Sequence, residues 1–190
     1  SNGANLEYTA ANTDVSGSFE VTGSFTLVGD TVISGSLKVS GSGGHDISLS
    51  NNDLGTSNTI FGKNAGANLD AGSNYNTFIG ENVSDGSMND STNNVFIGYG
   101  AASGIQTADN SVAVGFEALN DCTTGTRNMA IGAKALDKMD AGSDNIAIGY
   151  SAMTGLNHAS ATRNIAIGQY AADGMGTVGA SIDNIFMGYD

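Results

Sequence analysis

The side chains best supplied for chemistry in this sequence are carboxylates. Asp85, Asp90, Asp109, Asp121, Asp137, Asp140, Asp144, Asp173 and Asp183 all fall in short polar stretches between apolar phrases. Brought together across neighbouring chains at glycosidase spacing, two of them would supply the acid and base that cleave a polysaccharide. Turns select Asp for backbone reasons alone, and that reading outweighs the catalytic one. No nucleophile stands beside a base. His45 adjoins Asp46 in a glycine-rich turn, and His158 (Leu156-Asn157-His158-Ala159) has no acid in its turn. Arg127 and Arg163 alone are available to grip a carboxylate sugar, which argues against a sialidase-like site. Cys122 is the single cysteine, so it forms no intrachain disulfide. It has no basic neighbour to lower its pKa and is no catalytic thiol. The expectation is a protein that is not an enzyme.

Binding is the better prospect. Tyr99, Phe116, Tyr150, Tyr170 and Tyr189 recur after the glycines of a repeated phrase. They could form a platform on which sugar rings stack, or cover one corner of a coil by stacking on each other; the second reading carries more weight. The net charge of −13, from 19 acidic against six basic residues, excludes a nucleic-acid partner, because no Lys or Arg cluster can neutralise phosphates. An anionic membrane surface is excluded on the same ground. No apolar run is long enough to cross a bilayer, so membrane insertion is not expected. The acidity reads as solubility for a strand-rich surface. Ca²⁺ held between Asp and Asn side chains of the turns is the sharper alternative, although the Gly-Gly-x-Gly-x-Asp loops of RTX repeats are absent. No other cofactor or metal is expected. An ice-binding solenoid would repeat Thr at matched positions, whereas Thr59 and Thr77 give way to Val95 and Val112.

The elements that must position these residues are visible as repeats. Asn145-Ile146-Ala147-Ile148-Gly149 is one copy of a phrase also found at 58–62, 76–80, 94–98, 111–115, 128–132, 164–168 and 184–188. A unit of this length, too small to bury itself, marks a stacked repeat protein. Twenty-eight glycines, no proline and only 13% charged residues describe short strands joined by tight turns. No helical periodicity runs for three or four turns, so the fold is all-β.

Four segments follow. Residues 1–14 are a polar leader. Residues 15–44 form a hexad-repeat shaft, in which Val15-Ser-Gly17-Ser-Phe19-Glu is followed by Val21-Thr-Gly23-Ser-Phe25-Thr and three further hexads. Their alternation predicts a bent strand with one buried face. Five hexads are too few for a single-chain coil, which favours three chains wound about one axis. Residues 45–57 are a junction, and 58–190 an eight-rung β-solenoid head.

Within each rung phrase three consecutive residues are apolar or nearly so, and an extended segment points them alternately to opposite sides. The first and third positions, such as Ile146 and Ile148, are large and are assigned to the interior of the coil. The middle positions, Phe78, Phe96, Ala113, Ala130, Ala147, Ala166 and Phe186, then need an identical chain to keep them dry, and form the expected trimer interface. On this reading Ala147→Arg blocks assembly. The opening Asn residues should stack into an amide ladder, and the closing glycines suit positive φ. An Ala or Val three residues after every rung Gly but the last begins a return leg, either strand or tight helical turn. The intervening polar segments are expected to collect along one edge, where solenoids commonly bind ligands.

Asn-[Ser/Val/Ile]-Ala-[Ile/Val]-Gly followed by x-x-Ala resembles the head repeats of YadA-type trimeric autotransporter adhesins. It resembles still more the repeats of bacteriophage tail fibres and of fibre-like bacterial adhesins; the Val-x-Gly-Ser-Phe hexads look like fibre shaft. The match covers residues 58–190, but with rungs longer than the adhesin head unit and without the basic neck. The resemblance implies a homotrimeric parallel β-solenoid of left-handed, β-roll-like coils preceded by an intertwined shaft. It implies a location on a virion tail fibre or a bacterial cell surface. The implied function is adhesion, with a cell-surface glycan or envelope receptor as partner. A polysaccharide-degrading tail spike and a purely structural shaft segment are the alternatives. Such fibres often end in a cleavable C-terminal chaperone domain that directs trimerisation; none is visible after Asp190, as if it had been removed.

Overall fold

The computed structural model describes residues 55–155, 161–174 and 182–189. The leader, the hexad shaft, most of the junction, His45 and His158 lie outside the described residues. Among the described residues are ten short strands: β1 (Thr59–Phe61), β2 (Asn68–Leu69), β3 (Thr77–Ile79), β4 (Ser87–Met88), β5 (Val95–Ile97), β6 (Val112–Val114), β7 (Met129–Ile131), β8 (Ile146–Ile148), β9 (Ile165–Ile167) and β10 (Ile185–Met187). One strand from each phrase joins an eight-stranded sheet in the order β1-β3-β5-β6-β7-β8-β9-β10. Every pairing is parallel and in register, so that Ala130 faces Ala147 and Ala147 faces Ala166. The fold is an all-β parallel solenoid, and no described residue is helical.

Each strand of the eight-stranded sheet is three residues long because its ends are fixed by the residues that flank it. On the entry side, Asn58, Asn76, Asn94, Asn128, Asn145 and Asn164 are buried. Asn145 donates its backbone N–H to Asn128 Oδ1 at 3.0 Å and its Nδ2 to Ala161 O at 2.9 Å. Its own Oδ1 accepts from Asn164 N and Nδ2, both at 3.0 Å. The amide ladder anticipated from the sequence is therefore present. A buried amide is tolerable only when its donors and acceptors are matched, and stacking at rung spacing matches them. Ser111 takes one place in the column, accepting from Asn128 N at 3.2 Å and donating to Asp109 O at 3.2 Å.

On the exit side the closing glycine leaves the strand at positive φ. Gly132 has φ +127°, and a Cβ there would lie 2.5 Å from the carbonyl oxygen of Gly149 in the next rung. Both the conformation and the close approach exclude a side chain. Gly132→Ala should therefore lower unfolding stability by about 2 kcal/mol or more, measured by denaturant titration. An unchanged midpoint would show that this corner rearranges freely.

The other corners are turned by ordinary residues. The positions two and four after the rung glycine, and the one before each ladder position, all take left-handed backbone: Lys134 (φ 58°), Leu136 (φ 52°) and Arg127 (φ 56°) represent the three columns. Such a residue costs about 1–2 kcal/mol relative to right-handed backbone. The cost is offset by inter-rung bonds that only this geometry permits, including Lys134 N to Phe116 O at 2.9 Å, Leu136 N to Ala152 O at 3.0 Å and Arg127 N to Asp109 O at 2.9 Å. The return leg is thus a chain of turns, with two-residue strands only at β2 and β4.

The coil interior corrects the assignment of faces. Phe78, Phe96, Ala113, Ala130, Ala147 and Ala166 are fully buried by their own chain, and Phe186 packs against the same core. These middle positions point inward, so they have no surface left for a second chain. The first and third positions point outward. The physical reason is volume compensation. The residue four after the rung glycine also points inward, and the two positions share one layer: a Cβ on Gly66 would meet Ile60 and Phe78, each at 3.2 Å. Where the middle residue is Ile60, Phe78 or Phe96, the partner is Gly66, Ser84 or Ala102; where it is Ala113, Ala130 or Ala147, the partner is Leu119, Leu136 or Met153. Large faces small in these six layers, which is how an interior reaches crystal-like packing density; the next rung pairs Ala166 with Ala172. The alanine run therefore makes room for Leu and Met within one coil.

The segments read as polar linkers also line the core. Leu69, Met88, Ile105, Cys122 and Met139 form one buried column, and Ser73, Ser91, Ala108 and Ala161 belong to another of small residues. They are walls of the coil and not an edge of insertions. The signal was present as an isolated apolar residue six positions before the next ladder position, at Met88, Ile105, Cys122 and Met139. One residue per segment is too sparse to register as periodicity.

Candidate functional site

The five aromatic candidates are brought to one corner, immediately after the rung glycines. Tyr99 and Phe116 stack with centroids 5.6 Å apart and planes 11° from parallel. Tyr150 meets Tyr170 edge to face at 5.4 Å, and Tyr170 meets Tyr189 in the same manner at 6.3 Å. They are thus two separate clusters that stack on themselves, as the simpler of the two readings expects. Their outer surfaces remain accessible: Phe116 and Tyr150 are each 46% exposed. Tyr170 lies two residues after Gly168, one column over from the others, and meets both ring neighbours edge to face.

Charges adjoin this corner. Lys134 Nζ lies 3.0 Å from Glu117 Oε2 and 3.9 Å from Asp137 Oδ2. Glu117, by hydrogen bond and by charge, holds the Lys134 ammonium above its ordinary pKa. Asp137 is nearly buried; desolvation first, and then the charge of Asp121, push its carboxyl up. Nearer the first rungs the corner is polar, with Lys63 to Glu81 at 3.4 Å and Asn64 Nδ2 donating to Asn82 Oδ1 at 2.9 Å.

Several turn carboxylates are used for rung-to-rung contacts. Asp109 accepts from Thr92 N at 2.7 Å and Oγ1 at 2.9 Å, and Asp140 accepts from Thr123 Oγ1 at 2.6 Å. Asp70 accepts from Ser73 Oγ at 2.7 Å and from Asp90 N at 3.1 Å; these bonds, the Ser73 one foremost, hold its carboxyl below the usual range. Asp144 and Asp183 form forked pairs with Arg127 and Arg163, with Nε at 2.5 and 2.6 Å. The arginines hold both carboxyls below their ordinary values. Such turn carboxylates are occupied as backbone and rung acceptors. No group of three or more His, Cys, Asp or Glu suited to a metal occurs among the described residues.

Cys122 is buried in the coil, where desolvation pushes its thiol to about 11. It packs as a small apolar core residue. A cavity of about 550 Å³ adjoins β10, between Ala171–Asp173 and Ile185–Tyr189, with Asp173 its one titratable carboxylate.

The third feature is the outward face of the main sheet. Its two rows are Thr59, Thr77, Val95, Val112, Met129, Ile146, Ile165 and Ile185, and Phe61, Ile79, Ile97, Val114, Ile131, Ile148, Ile167 and Met187. Ile79, Ile131 and Ile167 are 41%, 37% and 37% exposed, so nothing among the described residues covers this face there. At strand spacing the eight rungs make a surface about 38 Å long and about 10 Å wide. That is on the order of 400 Å², within the range of the largest apolar patch on a typical monomer, a patch that is often functional.

Comparison with protein-family models, with curated proteins and with solved structures finds no match for this chain. No described helix is long and apolar enough to cross a membrane.

Proposed function

We propose that this chain is a segment of a homotrimeric fibre that attaches to cell-surface glycans, carried on a virion tail or a bacterial surface. The observation that carries the assembly is the uncovered apolar face of the eight-stranded sheet. Parallel sheets are ordinarily covered on both sides, and here the coil covers only one. The face carries two lengthwise rows, which suits a ring in which each chain offers one row to each of two neighbours. Such a head-to-tail contact closes as a cyclic oligomer. Three chains with their sheets turned to a common axis satisfy this with the coils parallel. Left-handed coils and an intertwined shaft over residues 15–44 complete the reading, as the fibre resemblance implies. The aromatic corner lies outside the two interface rows and is the surface offered to glycans.

Sedimentation equilibrium on the full chain should give three times the 19.1 kDa chain mass. A folded monomer would overturn the assembly. A glycan array on the same material tests attachment: retention of sugar-bearing spots is expected. Release of oligosaccharides from capsular polysaccharide would replace attachment with cleavage.

A further inference from the structure

The aromatic column at the corner is interrupted. Tyr99, Phe116, Ala133 and Tyr150 occupy equivalent places in four successive rungs, fixed by Glu117 N to Tyr99 O, Lys134 N to Phe116 O and Ser151 N to Ala133 O, each 2.9 Å. Tyr99 covers one face of Phe116. Tyr150 has its ring partner, Tyr170, on the far side. Among the described residues no ring contact crosses the rung of Ala133, which is only partly buried. We propose that the notch over Ala133, between Phe116 and Tyr150, binds one neutral pyranose ring of a glycan chain. This rests on the glycan-attachment reading above and assigns it a place.

The spacing selects the ligand. Two rung steps of about 4.8 Å separate the flanking column positions by about 9.6 Å. Van der Waals contact on both sides takes about 3.5–4.0 Å each, which leaves about 2 Å for the thickness of whatever lies between. A flat aromatic ring is too thin to touch both walls. A puckered saturated ring is thicker than a flat one, and its axial C–H bonds meet the free face of Phe116 on one side and Tyr150 on the other. Its equatorial hydroxyls then point sideways, where the carboxylate of Glu117 accepts and the ammonium of Lys134 donates. Those two charges already neutralise each other at 3.0 Å, and the chain carries a net −13. The notch therefore favours uncharged sugars over sialylated or uronic ones.

Methyl glucoside, galactoside and mannoside, each titrated into the full chain and followed by NMR, serve as probes beside the glycan array. Ala133→Tyr fills the notch and continues the aromatic column, so binding should fall at least tenfold with thermal stability retained or raised. Phe116→Leu removes one wall and should weaken binding about tenfold; it decides the matter if Ala133→Tyr does not fold. Wild-type binding that both variants retain, or that only Tyr189→Ala abolishes, would overturn the notch while leaving glycan attachment intact. A wild-type chain that binds no sugar in either format would overturn both.

Discussion

Ala147→Arg should unfold the coil, whereas Ile148→Arg, one residue along the same strand, should leave it folded and abolish the trimer. Ala147 has no exposed surface and faces Ala130 and Ala166 in the sheet, with Met153 among its core neighbours. A guanidinium there meets no acceptor. An unpaired buried charge costs about 3–5 kcal/mol, and forcing a long side chain into a packed layer costs about 1–3 kcal/mol more. Together these approach the whole stability of a typical domain. Ile148 lies on the outward row and is only half-buried. Arginine there reaches water in the single chain and is desolvated only when a second chain covers it. Circular dichroism melting and sedimentation separate the two effects. A native-like melt for Ala147→Arg would mean that the middle row faces outward after all. A stable trimer of Ile148→Arg would remove the outward rows from the interface.

A double-substitution cycle on Ala113 and Leu119 should show strong coupling. Leu119→Ala empties part of a layer in which Ala113 leaves no bulk to collapse inward, and should cost about 2–4 kcal/mol. Ala113→Phe overfills the same layer at a cost of about 1–3 kcal/mol. The combined variant reproduces the arrangement one rung earlier, where Phe96 faces Ala102 and stacks on Phe78 at 5.3 Å with planes 5° apart. It should recover about 1–3 kcal/mol relative to the sum of the single changes. Denaturant unfolding of the four proteins measures this. Simple additivity would show that the two positions do not share a layer.

The ladder positions Asn58 to Asn184 and the glycines after each strand were legible because each residue type answers one demand. A buried column needs a side chain that both donates and accepts, and a corner at positive φ with a backbone oxygen close by needs none at all. The aromatic cluster was also legible, as a set of rings recurring at matched places. Its division by Ala133 became meaningful only once the rungs were in register, since the sequence intervals between rung glycines range from 17 to 20 residues. The left-handed corners at Arg127, Lys134 and Leu136 were not legible. Nothing in Arg, Lys or Leu favours that conformation, and inter-rung hydrogen bonds impose it.

From the sequence alone follow the repeat, its period, the short strands and the two largely apolar sides of each strand, because alternation along an extended chain is a local property. Which of those sides the chain covers by itself was decided by tertiary structure. That choice depends on side chains six residues apart, Ala113 with Leu119 and Phe96 with Ala102, filling one layer between them. Volume is conserved across a layer and not along the chain, so the inward side became visible only when the coil closed.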